Sequence, residues 1–154
     1  MQTLIQEVIL DLTAKWIEDD LITKPRDVGD GQCEEFAQAV ISALPRDRDI
    51  TLAYTEDWWS RVILPDGTPS PDEAVTFHAD IPRLKAEGAP LPVDIPDDAL
   101  ANLIGGASHV WICWNGQHFD ASAPEGRPHF LDMPFFADQI SGLRDELLHG
   151  VNAL

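Results

Sequence analysis

The dipeptide Asn115-Gly116 constrains this chain more than any other feature. It stands between two runs that suit a pleated surface: Val110, Trp111, Ile112 and Trp114 before it, Phe119 after it. Asn-Gly favours a two-residue type I′ turn, because both central residues need positive φ. The reading is a β-hairpin over Ser108–Ser122, with a register that can be counted outward from the turn. Trp114 pairs with Gln117, Cys113 with His118, Ile112 with Phe119, Trp111 with Asp120, Val110 with Ala121 and His109 with Ser122. Opposed residues share a face, and side chains alternate along each strand. Val110, Ile112, Trp114, Phe119 and Ala121 therefore lie on one face, read here as core, with Gln117 near the tip. The other face carries His109, Trp111, Cys113, His118, Asp120 and Ser122. His109 and Asp120 are diagonal neighbours, about 7–8 Å apart at Cα, a gap that an imidazole and a carboxylate can bridge. The hairpin thus offers a histidine with an acid to orient it and lacks only a nucleophile.

Cys33 is the candidate. A helix is expected to begin around Asp30 to Cys33, with Asp30 as its cap and Glu34 and Glu35 in the first turn, where the dipole favours acids. Phe36, Ala37, Val40, Ile41 and Leu44 make its buried stripe, and Pro45 follows its end. Cys33 precedes Phe36 and Ala37 by one turn, so it lies on the buried face at the N-terminal tip. A helix N-terminus and a nearby imidazolium both favour the nucleophilic thiolate. His109 would act as general base and then acid. Asp120 would hold the imidazole tautomer and stabilise the imidazolium. The backbone N–H of Cys33 could donate to an oxyanion, and Gln32 could add a side-chain donor. Glu34 and Glu35 work against a thiolate if they face it.

Gly31-Gln32-Cys33-Glu34-Glu35-Phe36-Ala37 resembles the nucleophile helix of bacterial transglutaminase-like proteins, a branch of the papain-like cysteine-protease superfamily. In that family Gly-x-Cys is followed by an acidic residue, then Phe-Ala and an apolar helix. His109-Val110-Trp111, the short hairpin and Asp120 resemble the family's His-x-Trp strand and the acid on its neighbour. The order Cys, His, Asp agrees as well. The resemblance implies an α+β fold with a papain-like core, the nucleophile helix packed on an antiparallel sheet. It implies Cys33 as nucleophile, His109 as base and Asp120 as orienting acid. It also implies hydrolysis or transfer at amide bonds, of the peptidase, amidase, deamidase or transglutaminase type, on a peptide or other amide-containing substrate. The segment between Tyr54 and His109 is longer than the minimal family core, so the substrate stays open.

The rest of the chain supplies the frame. Leu4, Ile5, Val8, Ile9, Leu12, Trp16 and Ile17 have helical spacing within residues 3–18. Thr23 to Gly31 reads as loop, and Ile50 to Thr55 as a strand. A short strand is expected at Arg61–Leu64, then a turn at Pro65-Asp66-Gly67. Asp72 to Gly88 has no decisive pattern and is read as one or two short helices. The prolines of Ala89–Pro96 demand extended chain or loop. Asp97–Ile104 is expected to be helical, with Ala99, Leu100, Leu103 and Ile104 inward. Pro124-Glu125-Gly126 reads as a turn. A last helix spans about Pro134 to His149, with Phe136, Ile140, Leu143 and Leu147 on one side and Gly142 weakening it. No repeat or linker divides residues 1–154, which read as one domain.

Charge and cysteine content narrow the function classes. Twenty-seven acids against ten bases give a net charge of −17. That disfavours nucleic acids and anionic membranes, which are bound by Lys/Arg patches. The acids are scattered, unlike the phosphates that a nucleic-acid mimic must copy, and solubility is the simpler reading. Cys33 and Cys113 do not make a secreted disulfide framework. No signal peptide or apolar run of membrane length is seen, so a cytoplasmic setting is the default. Competing readings remain for the single residues. Cys33 can be a small buried hydrophobe and His109 a satisfied core histidine. His118 opposes Cys113, which with His109 raises a zinc site, but no Cys-x-x-Cys or His-Glu-x-x-His spacing supports one, and no metal or cofactor is expected. Ser122 opposes His109 but has no helix tip or oxyanion donor beside it. Trp58, Trp59 and Trp111 can line a substrate groove or fill a core. The non-enzymatic alternative is a binding or structural protein of the same fold, its acidic surface facing a basic partner.

Overall fold

The computed structural model describes residues 1–45, 49–55, 74–107 and 109–149. Its strands are β1 (Ile50–Thr55), β2 (Ala74–Phe77), β3 (Val110–Trp114), β4 (Gln117–Asp120) and β5 (Ala123–Arg127). They form one sheet in the order β2-β1-β3-β4-β5. The α-helices are α1 (Gln2–Glu18), α2 (Cys33–Ala43), α3 (Ile81–Ala86), α4 (Asp97–Gly105) and α5 (Pro134–His149). Short 3-10 turns lie at Pro25–Gly29 and Phe130–Asp132. The expected short strand at Arg61–Leu64, the turn after it and Trp58-Trp59 fall outside the described residues.

The hairpin has the counted register: Ile112 faces Phe119, Cys113 faces His118 and Trp114 faces Gln117. Asn115 and Gly116 take φ of 50° and 72°, the pair of positive values a type I′ turn requires. Val110, Ile112, Phe119 and Ala121 pack with Ile5 and Ile9 of α1 and Phe36 and Val40 of α2. The opposite face is not an open reactive surface. Trp111 and Ala53 are fully buried there against Leu100 and Ile104 of α4 and Phe136 and Ile140 of α5. Helices therefore cover both faces, and the polar residues of the hairpin are enclosed.

Three other expectations are corrected. The sheet is mixed, since β2 runs parallel to β1 while the remaining pairs are antiparallel. Pro124-Glu125-Gly126 is not a loop turn but lies within β5, where the pairing with β4 is irregular between His118 and Asp120. Turn-forming residues there break the regular pairing without reversing the chain. Asp30 does not cap α2. The chain first forms the Pro25–Gly29 turn and passes through Gly31 at φ 102°, so Gln32 takes the cap position and Cys33 the first helical one. Part of the undetermined 72–88 segment resolves into β2 and α3. Asp80 caps α3 by accepting the Arg83 N–H at 3.2 Å, with Pro82 in the first turn. Among the described residues, no helix is long and apolar enough to cross a membrane.

Two glycines give opposite expectations. Gly126 has φ 89°, and a Cβ there would stand 2.8 Å from the Phe119 ring. Gly126→Ala should cost about 1–3 kcal/mol, from backbone strain and from displacing a core ring. Gly142 lies in α5 with open space around it, so Gly142→Ala should stabilise by up to ~1 kcal/mol. Urea denaturation of the two variants tests this. Midpoints that move in the same direction would contradict the packing described here.

Candidate active site

His109 immediately precedes β3 and Asp120 ends β4, so both stand at the same end of the hairpin. The diagonal contact forms. His109 Nε2 lies 2.8 Å from Asp120 Oδ2. The other carboxylate oxygen, Oδ1, accepts the Ser122 backbone N–H at 2.9 Å. Asp120 is thus held through both oxygens, by the ring it orients and by the main chain that follows it. A carboxylate at Nε2 selects the tautomer with its hydrogen there, which leaves Nδ1 as the acceptor of the neutral ring.

Cys33 is the third member. The start of α2 carries it to this end of the hairpin, where it packs with Val110, Trp111 and Asp120 around a small enclosed space. Burial of the His109 imidazole works to lower its pKa. Hydrogen bonding to Asp120 and to Cys33, and the negative charge of both, outweigh burial and push it up to about 9. Nδ1 is buried and closes no hydrogen bond of standard geometry. The effect of Cys33 on the ring places its thiol beside the imidazole. The three residues picked out in the sequence therefore come together, with Cys33 3 %, His109 1 % and Asp120 6 % exposed.

The two expected accessory residues are placed elsewhere. Gln32 donates from Nε2 to the Leu21 carbonyl at 3.2 Å. It satisfies the connection after α1 and does not present that donor to an oxyanion. Trp111 lines no substrate groove. It is fully buried because α4 and α5 cover its face, and its Nε1–H donates to His118 Nδ1 at 3.0 Å. Its indole stacks on His109 with centroids 5.7 Å apart. His118 has its pKa lowered to about 4 by burial and by the charge of His129, so it serves as a neutral acceptor. Burial raises the Cys113 pKa, which suits packing better than nucleophilic work. Among the described residues, no group of three or more His, Cys, Asp or Glu is arranged to hold a metal.

Two residues at the site had no signal in the sequence. Phe135, in the first turn of α5, stacks on His109 with centroids 3.9 Å apart and planes 10° apart. Gly29 makes room for it, since a Cβ there would meet the Phe135 ring at 2.9 Å. Neither contact is local, so no spacing rule points to it. Beside them opens a cavity of about 330 Å³ whose wall includes His109, Asp120, Ser122, Phe135, Arg26 and Asp138. Cys33 is not in that wall. No family model, curated protein or solved structure matches the chain, so these geometric relations are the ground for any assignment.

The two buried histidines give opposite pH dependences. The pKa of His109 in the folded protein is about 9, above the 6.5 of the free side chain. Its contribution to stability is fully present below pH 6.5 and is lost as the pH rises through about 9. His118 titrates near 4 in the folded protein, so its contribution is present above pH 6.5 and is lost as the pH falls through about 4. Unfolding free energy followed from pH 4 to 10 should fall at both ends. His109→Gln should flatten the alkaline limb, and His118→Gln the acid limb. An alkaline limb unchanged by His109→Gln would show that the ring is not protonated by its partners.

Proposed function

We propose that this protein is a cysteine hydrolase or acyltransferase acting on amide bonds, with Cys33 as nucleophile, His109 as acid and base, and Asp120 as the acid that orients His109. The observation that carries the reading is the bond from His109 Nε2 to Asp120, which turns the other ring nitrogen to the Cys33 side. Three further features support it. The thiol stands at a helix tip, where the helix dipole favours an anion. The imidazole is protonated at neutral pH, and so is the counter-ion that a Cys33 thiolate needs. A cavity reaches the His109–Asp120 pair. The α+β architecture, with a cysteine at the tip of a helix packed on strands that carry His and Asp, supports the papain-like or transglutaminase-like core that the sequence resembles. A cytoplasmic setting, where thiols stay reduced, suits such a residue.

The chemistry balances in two steps. Cys33 Sγ, as thiolate, attacks the amide carbonyl and forms a C–S bond, placing negative charge on the carbonyl oxygen. Main-chain N–H groups at the start of α2 are the donors nearest to hand for that oxyanion. Collapse breaks the C–N bond, and the leaving nitrogen takes its proton from the His109 imidazolium. His109, now neutral, then takes a proton from water or from an amine, which attacks the thioester. The acyl group leaves, and Cys33 returns to thiolate beside an imidazolium. Asp120 remains ionised throughout and pairs with the imidazolium.

A second reading, a binding or structural protein of the same fold with an acidic surface for a basic partner, is favoured by one observation: Cys33 lies outside the cavity wall. The pH dependence of Cys33 alkylation by iodoacetamide separates the two. Under the enzymatic reading the reactive form persists well below pH 8 in the wild type, and His109→Ala shifts the profile upward. Turnover on a panel of peptides and glutamine amides should fall about 10²- to 10⁴-fold in the same variant. A slow rate with an ordinary profile, identical in the variant, would favour the binding protein.

A further inference from the structure

The thiol is buried beside the cavity, and Val28 and Asp120 line both the cavity and the space around Cys33. Cys33 is almost fully buried and absent from the cavity wall. Residues 24–30, which contain the Pro25–Gly29 turn, line one side of the cavity, and Gly31 joins them to the start of α2. Val28 in this segment is buried. The segment ends at Gly31, whose φ of 102° suits glycine alone. Two contacts tie it to α5. Phe135 packs on Gly29, closely enough that no Cβ would fit without moving the ring. Arg26 pairs with Asp138, through side chains that are 62 % and 51 % exposed. Phe135 and Asp138 are three residues apart in α5, so both look from the same side of that helix. The same Phe135 ring lies flat on His109.

We propose that residues 24–31 form a strap closed over Cys33, clasped to α5 by the Arg26–Asp138 pair and the Phe135–Gly29 contact, and that Cys33 is reached only when the clasp opens. The clasp is suited to opening. An exposed ion pair is weak and is screened by salt. Gly29 and Gly31 supply the backbone freedom of a hinge. The seat of Val28 in the apolar layer opposes opening and keeps the closed form dominant. The inference goes beyond the enzymatic reading, since a strap over an inert thiol would behave in the same way.

The test is the rate of iodoacetamide alkylation of Cys33 in the full chain, read peptide by peptide by mass spectrometry. It is taken on the high-pH plateau, where protonation no longer limits the reaction. Cys113 in the same molecule is the internal reference. Asp138→Asn and Arg26→Gln should each raise the Cys33 rate about two- to five-fold, and the double variant should be no faster than either one. Raising the salt concentration to ~1 M should speed the wild type by a similar factor and leave the variants unmoved. Gly29→Ala, which displaces the Phe135 ring, should act in the same direction. The Cys113 rate should not change in any of them. Equal Cys33 rates in wild type and variants would overturn the strap, and so would Cys33 and Cys113 accelerating together, which is general loosening. Either failure leaves the pH profile of Cys33, and with it the catalytic reading, untouched. An ordinary pH profile with a salt-sensitive plateau would remove the enzyme and keep the strap.

Discussion

A buried imidazolium is costly unless a carboxylate shares its enclosure, and the site of this protein is arranged around that requirement. Asp120 meets His109 through one oxygen and the main chain of Ser122 through the other. Phe135 and Trp111 stack near the imidazole and limit its rotation. Each neighbour therefore narrows the positions left for the charge, and Cys33 adds to the groups that hold it. Removing Asp120 would leave a cation among aromatic rings, a larger loss than that of one hydrogen bond.

The aromatic packing follows from the sheet being covered on both faces. Trp111, Phe130 and Phe136 fill the layer behind His109, and the Trp111 indole stacks on Phe130 with centroids 5.6 Å apart. In an open site the tryptophan would be free to meet substrate. Here its N–H is spent on His118, and that bond requires a neutral acceptor. The hairpin thus carries two polar diagonals, His109 to Asp120 and Trp111 to His118, with opposite protonation states. Desolvation lowers both histidines, and at His109 the partners Asp120 and Cys33 offset it.

Much of this arrangement was legible in the sequence, where local rules govern. Asn115-Gly116 sets a turn, a turn sets a register, and a register sets which residues share a face, so the His109–Asp120 contact follows by counting. The apolar stripe of α2 placed Cys33 inward in the same way. What was not legible depends on contacts between distant segments. Asp30 looks like a cap because it is an aspartate before a helical stripe, but the turn at Pro25–Gly29 delays the helix by two residues. Trp111 looks like a groove residue because nothing near it announces α4 and α5. Phe135 and Gly29 are far apart in sequence and unremarkable alone, and only their meeting makes them part of the site. The irregular pairing in β5 was also hidden, because Pro-Glu-Gly marks a break in regular chain without saying whether the chain turns or bulges.

The alternation of the hairpin has a consequence for folding errors. Neighbouring side chains point to opposite layers, so a strand that paired one residue out of place would invert them all. Asp120 and His118 would then face the layer filled by Ile5, Ile9, Phe36 and Val40, while Phe119 would be driven among the aromatic rings on the other side. A carboxylate sealed against aliphatic groups would have to give up its charge or drag water in with it, and either penalty exceeds what a misplaced ladder returns. The groups that would carry out chemistry thereby act as proofreaders of the chain, rejecting each pairing in which they could not do so.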